Sequence, residues 1–343
     1  MNYEVTIGIP VYRAAGYIEH TMESALNQTF PFIEYLVIDD CGDDGSMDIV
    51  KQFVDNHPRG RHIRVLKHDH NCGIGMARNR LLSEARGKYI FFLDSDDLIE
   101  IDAIENMVSY AHEYGFEVIY GSWERVDDVN HSSSQKSIYP YRELMRPDEL
   151  AHYVFENYST FRISVCNCLM LISFLRSSQM RFIDSFYWED LAFTYEMATK
   201  VSKALLLPNI TYHYICRPNS LSHYQDRDQL QKDEILSNVD TINYLKGKCN
   251  QLINKSYLPF LCSNLEKNSF YIVCHILGNY KRISPHVTTC ELHQILYHPL
   301  CLSEIIKFRN KKIENLLFWF LGVMPIIIVI PIVFLWGKLK KII

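Results

Sequence analysis

Short apolar runs recur through the first 120 residues, each ending in a polar or acidic cluster and each followed by helical periodicity. That rhythm restricts the fold more than any other feature of the chain. Residues 5–11, 35–38, 63–66, 89–93 and 118–120 read as buried strands, because continuous apolar runs of this length suit a sheet covered on both faces. Between them, Ile18, Met22, Ala25 and Leu26 recur at helical spacing, and residues 48–54, 76–85 and 101–114 read as further helices. Strand and helix in strict alternation predict an α/β fold with a Rossmann-like, mostly parallel sheet flanked by helices. Ligands of such sheets bind beyond the carboxyl ends of the strands. Those ends carry Pro10 and Tyr12, Asp39 and Asp40, His68 and Asp69, and Asp94 and Asp96.

Farther along, residues 125–147 are polar and read as a loop, and 147–158 as a helix. Residues 191–201 read as a helix and 204–207 as a strand. Residues 226–312 are mostly helical in pattern. Leu316 to Trp336 is an uncharged run of 21 residues, with Trp319 and Trp336 near its ends and basic residues on both sides. A run of that length covers a bilayer core of about 30 Å. Pro325 and Pro331 interrupt it, so one span and a bent, re-entrant anchor both fit. The expected division is 1–225 as the α/β domain, 226–312 as a helical region and 313–343 as a membrane anchor with a basic tail.

A net charge of -5 offers no basic excess to neutralise phosphates, so no nucleic-acid partner is expected. Ten cysteines include only one close pair, Cys166 and Cys168, without zinc-ligand spacing. An apolar strand starting at Val5 leaves no cleavable leader ahead of it. The expected setting is a reducing cytosol, with the thiols unpaired.

Five segments carry candidate chemistry. Asp94-Ser95-Asp96-Asp97 follows a strand; two carboxylates two residues apart can share one hard cation, Mn2+ or Mg2+. Asp97 can instead cap the next helix. Asp39 and Asp40 can accept hydrogen bonds from a base or a ribose. Asn71, Gly73 and Arg78 lie where a glycine-bearing loop enters a helix whose N-terminus favours phosphate; Arg78 either pairs with phosphate or braces the acids. Glu189 and Asp190 open a helix, as a base toward an acceptor hydroxyl or as complement to the helix dipole. His213 is a further candidate for the cation or a half-buried strand histidine, and Arg217, Ser220 and Ser222 are candidate diphosphate contacts.

Taken in order, these segments resemble the family 2 glycosyltransferases with the GT-A fold. The matching residues are Ile9-Pro10-Val11-Tyr12, Ser24-Ala25-Leu26-Asn27-Gln28-Thr29, Val37-Ile38-Asp39-Asp40, Asn71 with Gly73, Ala77-Arg78-Asn79, Phe92-Leu93-Asp94-Ser95-Asp96-Asp97, Glu189-Asp190 and the segment 212–222. The resemblance covers roughly residues 3 to 225. It implies that Tyr12 lies on the nucleotide base and Asp40 recognises it, with Asp39 nearby. Asp96 would be the principal metal ligand, Asp94 would hold ribose or metal, and Asp190 would be the catalytic base. The implied reaction is an inverting transfer of one sugar from a nucleotide-sugar donor, a UDP-sugar first of all, to a glycan or lipid-linked acceptor. The implied location is the cytoplasmic face of the plasma (inner) membrane.

Three positions depart from the family pattern: Arg13 stands where Asn is usual, Cys41-Gly42 where Gly-Ser is usual, and Cys168 where Lys often follows Asn. No Gln-x-x-Arg-Trp motif of the processive synthases is present. A nucleotidyltransferase and a non-catalytic nucleotide-binding membrane protein are the competing readings. The glycosyltransferase reading requires Asp40, Asp96 and Asp190 to line one cleft.

Overall fold

The computed structural model describes residues 2–128, 132–161, 163–217 and 227–340. Two compact units divide the chain. The first comprises Met1–Leu150, Arg162–Asp184 and Glu196–Pro218, and the second Ala151–Phe161, Ser185–Tyr195 and Asn219–Ile343.

The first unit opens with β1 (Val5–Val11), α1 (Ile18–Leu26), β2 (Ile33–Asp39), α2 (Ser46–Asn56), β3 (Ile63–Lys67), α3 (Ile74–Glu84) and β4 (Tyr89–Phe92). It continues with β5 (Leu98–Ile99), α4 (Ala103–Tyr114), β6 (Val118–Asp127), β7 (Ser133–Ser137) and β8 (Arg142–Leu144). It then adds β9 (Cys168–Leu171), α6 (Ile172–Ser177) and β10 (Ala204–Cys216), while most of α5 (Glu149–Glu156) and α7 (Glu189–Ala198) falls in the second unit. The strands form one sheet ordered β3-β2-β1-β4-β9-β6-β10-β5, with β7 on β6 and β8 on β10.

Every residue of β1 and β2 is buried, which is why both read as continuous apolar runs. Of the three polar exceptions, Thr6, Glu34 and Asp39, the first two face each other across the ladder. The Thr6 hydroxyl donates to Glu34 at 2.7 Å, and Arg64 pairs with the same carboxylate at 3.1 Å, so the buried charge is compensated.

The sheet is mixed rather than mostly parallel. β3, β2, β1 and β4 run parallel, but β9 inserts antiparallel between β4 and β6. β5, β7 and β8 add further antiparallel pairs. β9 is four residues long and leaves a turn at Asn167, whose φ is 73°; that is too short for periodicity to register. The supposed loop 125–147 holds the end of β6 and all of β7 and β8. β7 is Ser-Ser-Gln-Lys-Ser on an exposed edge, and its pairing leaves no apolar trace in the sequence. All ten cysteines are free thiols.

The second unit is helical: α8 (Lys232–Lys248), α9 (Leu258–Gly278), α10 (Thr289–Ile295), α11 (Leu302–Ile305), α12 (Lys312–Val323) and α13 (Ile326–Leu339). A two-stranded pair, β11 (Leu230–Gln231) with β12 (Ile283–Ser284), accompanies them. α9 is buried on most of its surface, and a fully buried Lys246–Glu266 ion pair of 2.9 Å ties α8 to it. The apolar run 316–336 is not one helix. It breaks at Met324-Pro325 into α12 and α13, with Pro331 inside α13. Among the described residues no helix is long and apolar enough to cross a membrane.

Candidate active site at the carboxyl rim of the sheet

The ladder runs one residue past the strands. Asp40 N–H donates to Val11 O, His68 N–H to Asp39 O and Leu93 N–H to Gly8 O, at 2.9, 2.9 and 3.0 Å. Tyr12, Asp40, His68 and Asp94 are thereby brought to one rim.

Asp40 is 2% exposed. Its carboxylate accepts from His68 Nδ1 at 2.6 Å, Cys72 N–H at 2.8 Å and Gly73 N–H at 3.0 Å. Gly73 has φ 84°, and its N–H also donates to Asn71 Oδ1 at 3.2 Å. Asp40 therefore fixes the loop that leads into α3, and about one of its four acceptor positions remains open for a ligand. Asp40, His68 and Cys72 bring ligand atoms within 4.8 Å of one another, the single such group of three among the described residues. Asp39 accepts from Cys41 N–H at 2.9 Å and pairs with Lys67 at 3.3 Å.

Tyr12 is 41% exposed and carries the Arg13 guanidinium 5.3 Å from its ring centroid, while Arg13 pairs with Asp43 at 3.0 Å. Arg13 has φ 49° and Cys41 φ 60°. Those are two of the positions where the chain departs from Asn and Gly, the residues that tolerate left-handed backbone best. The backbone shape at both points is the one those residues favour, even though the side chains differ.

The turn after β4 is held by two arginines. Arg78, 1% exposed, donates to Asp94 at 2.7 Å and lies over the Phe182 ring at 5.6 Å. Of the two roles open to it, this is the bracing one. Arg217 Nε donates to Asp96 at 2.5 Å, and its guanidinium covers the Tyr17 ring at 5.1 Å. Burial pushes the Asp96 carboxyl up, Arg217 pulls it down, and neighbouring Asp94 pushes it up again. Asp97 is not a helix cap, because β5 intervenes and α4 starts only at Ala103. It is buried, accepts from the Tyr212 hydroxyl at 2.6 Å and Ile215 N–H at 2.8 Å, and so locks the turn to β10. Burial, then Asp96 and Asp94, raise its carboxyl well above the usual range.

This donor set fits a hard divalent cation at Asp94 and Asp96. Both are oxygen ligands, both remain partly accessible, and the Asp96 carboxyl is raised chiefly by its burial, with neighbouring Asp94 adding to the rise. Asp97 is committed elsewhere. His213 faces Glu124 with Nδ1 at 2.9 Å and Glu100 with Nε2 at 3.1 Å, which leaves neither nitrogen for a cation. Ser220 and Ser222 lie outside the described residues. Glu189 and Asp190 open α7 and belong to the second unit; Glu189 is buried, and the preceding Trp188 has φ 63°.

Two residues that the sequence named without a role gain one here. His68 stands one residue past β3, level with Asp40 one residue past β2 in a parallel register, which makes it the partner of that carboxylate. Tyr212, buried in β10, holds Asp97, a pairing that no local signal disclosed. Gln28, from the motif after α1, is structural: its amide donates to Ser24 O and Glu100 O and accepts from Ile104 N–H.

The family model described as Glycosyl transferase family 2 matches residues 6–177, just over half of the 343-residue chain. Chondroitin synthase of Escherichia coli is 44% identical over 152 residues, covering 43% of this chain and 22% of the relative. The succinoglycan biosynthesis protein ExoO of Rhizobium meliloti (strain 1021) is 28% identical over 233 residues, 66% of this chain and 65% of ExoO. The chain thus covers less than two thirds of each of these relatives. Among solved structures, S. aureus TarS 1-349 in complex with UDP-GlcNAc matches with a TM-score of 0.68 and 16% identity, over 93% of this chain and 90% of that one. That likeness bears on the fold alone, and it agrees with the mixed sheet described above. The matched segment contains Tyr12, Asp40, Asp94 and Asp96 at the strand ends described and Arg78 in α3, and the chain belongs to glycosyl transferase family 2.

Proposed function

We propose that this chain is a metal-dependent, inverting glycosyltransferase that moves one sugar from a nucleotide-sugar donor, a UDP-sugar, to the hydroxyl of a glycan or lipid-linked acceptor. The observation that carries the reading is the rim itself. A nearly saturated Asp40 stands beside an exposed Tyr12, and Asp94 and Asp96 each lie under a guanidinium. The donor nucleotide is chosen on the likeness to TarS, which has been solved with UDP-GlcNAc and with UDP. A role in cell-surface glycan assembly follows the relatives named for chondroitin and succinoglycan synthesis. The setting proposed is the cytoplasmic face of the plasma membrane.

Tyr12 offers its exposed ring to stack on the base, and the open acceptor position of Asp40 takes a base N–H. Asn71 and Gly73 shape the loop beside the base. Arg78 holds Asp94 in place through their ion pair and is a positioning residue. Arg217 leaves Asp96 for a phosphate oxygen once the acid gains another counter-charge, and its planar fork suits that anion. A bound Mn2+ or Mg2+, held by Asp94 and Asp96, supplies positive charge where the diphosphate departs. Asp190 is assigned the proton of the acceptor hydroxyl, from its place in the family pattern, with Glu189 beside it. One displacement inverts the anomeric centre, so no covalent nucleophile is needed.

The test is a donor panel: purified chain, Mn2+ or Mg2+, and UDP-, GDP-, dTDP- and CMP-sugars, scored for released nucleotide. Release of UDP from a UDP-sugar, stimulated by the cation, is the expected result. Release of pyrophosphate would make the chain a nucleotidyltransferase instead. Nucleotide binding without turnover across donors and acceptors would make it a binding protein. Asp96→Ala should lower the rate on the order of 10²- to 10³-fold, the usual loss when one charge-stabilising group is removed.

A further inference from the structure

α12 and α13 each bury one face and leave the opposite face apolar and exposed. The buried face packs on α9. Phe318 and Trp336 meet Phe270 at ring-centroid distances of 6.4 and 5.0 Å, and the Asn315 amide donates to Pro259 O at 3.0 Å. Val329, Val333 and Gly337, four residues apart, continue that face along α13. On the other side, Ile313, Leu317 and Phe320 recur at helical spacing on α12, and Ile328, Ile332 and Leu335 on α13. Ile313 at the start is 75% exposed and Ile327 after the break is 79% exposed. A helix on a water-facing surface carries polar residues there; here the outer face has none. The one acid between residues 313 and 337, Glu314, is taken by Lys267 at 2.7 Å and Lys311 at 3.0 Å.

Both ends of this apolar surface are basic. Lys307, Arg309, Lys311 and Lys312 line a shallow depression at its start, and Lys338 and Lys340 follow it. Lys307 and Lys311 have acidic partners; Arg309, Lys312, Lys338 and Lys340 have none among the described residues. A second copy of the chain is a poor occupant, because pairing in either direction brings basic end against basic end. An anionic lipid leaflet complements both ends at once.

We propose that α12, the Met324-Pro325 break and α13 form a bent anchor that lies in one leaflet of an anionic membrane without crossing it. At 1.5 Å per residue the two helices are about 18 and 21 Å long, each short of a core of about 30 Å. A span would put the unpaired backbone groups of the break into hydrocarbon, whereas the headgroup boundary can hydrogen-bond them. The outer apolar face enters the acyl region, the inner face stays on α9, and the lysines and arginines meet lipid phosphates. The inference rests on the reading of the chain as membrane-associated. It does not depend on which reaction is catalysed, and vesicle binding needs neither donor nor metal, so the two can fail separately.

The experiment is co-sedimentation of the full chain with phosphatidylcholine vesicles, with and without phosphatidylglycerol, at low and high salt. Binding should be at least about ten-fold stronger to the anionic vesicles and should weaken with salt. The exposed pair Lys338→Glu and Lys340→Glu should remove the anionic preference. Ile328→Asp with Leu335→Asp should abolish binding while the thermal unfolding midpoint stays within a few degrees. Tryptophan emission should be quenched more by lipids brominated near the headgroup than by lipids brominated near the chain ends. Equal binding to neutral and anionic vesicles, stronger quenching by the deep bromines, or no vesicle binding with a concentration-dependent dimer would each overturn the proposal.

Discussion

Cys41 and Arg13 hold backbone conformations that glycine and asparagine reach more easily, at φ 60° and 49°. The sequence alone could show only that both departed from a pattern; the dihedrals show that the chain keeps the shape. Cys41→Gly should therefore stabilise the protein by roughly 0.5–1 kcal/mol, less whatever the Sγ contact to His68 O contributes. Urea unfolding measures it. Arg78 teaches the converse. Its motif position admitted a phosphate role, but burial and the Asp94 pair make it a brace. Arg78→Ala strips a partly buried carboxylate of its partner and should cost about 3 kcal/mol, the lower end for a broken buried pair because Asp94 retains some solvent. Asp94 and Asp96 were legible as a pair from spacing. Asp97 was not, because its burial depends on Tyr212, more than a hundred residues away.

Among elements, β1 to β4 and α1 to α4 were legible to within a few residues, since each carries its own apolar period. β7 and β9 were not, because their stability comes from neighbours and not from their own composition. The α8–α9 pair illustrates a different hidden term. Burial drives the Glu266 carboxyl up to about 7, against the pull of Lys246. The folded value lies above the unfolded 4.5, so the contribution to stability is complete below about pH 4.5 and is lost as pH climbs through 7. The loss is on the order of 3 kcal/mol. Urea midpoints between pH 5 and 8 should fall in the wild type, and Glu266→Gln should flatten that slope. Lys246→Met should destabilise by roughly 3–5 kcal/mol, because it strands a buried carboxylate and two carbonyls, Ile295 O and Tyr297 O.

For the molecule as a whole, alternating strand and helix signals predicted an α/β sheet with its site at the carboxyl rim, and the first four strands follow that plan. What they could not disclose is that β9 runs antiparallel between β4 and β6, and that the short β5, β7 and β8 also oppose the long strands. Reversal depends on pairing partners, which lie far apart in sequence. In the proposed reaction Asp96 would give up Arg217 to hold a divalent cation, which would supply positive charge for the nucleotide diphosphate. Titration calorimetry of UDP into the chain, with and without Mn2+, tests this directly in wild type and in Asp96→Asn. UDP should bind at least about ten-fold more tightly with Mn2+ in the wild type, a coupling of about 1.4 kcal/mol, and the gain should vanish in the variant. Equal UDP affinity with and without Mn2+ in the wild type, or an undiminished gain in Asp96→Asn, would contradict it.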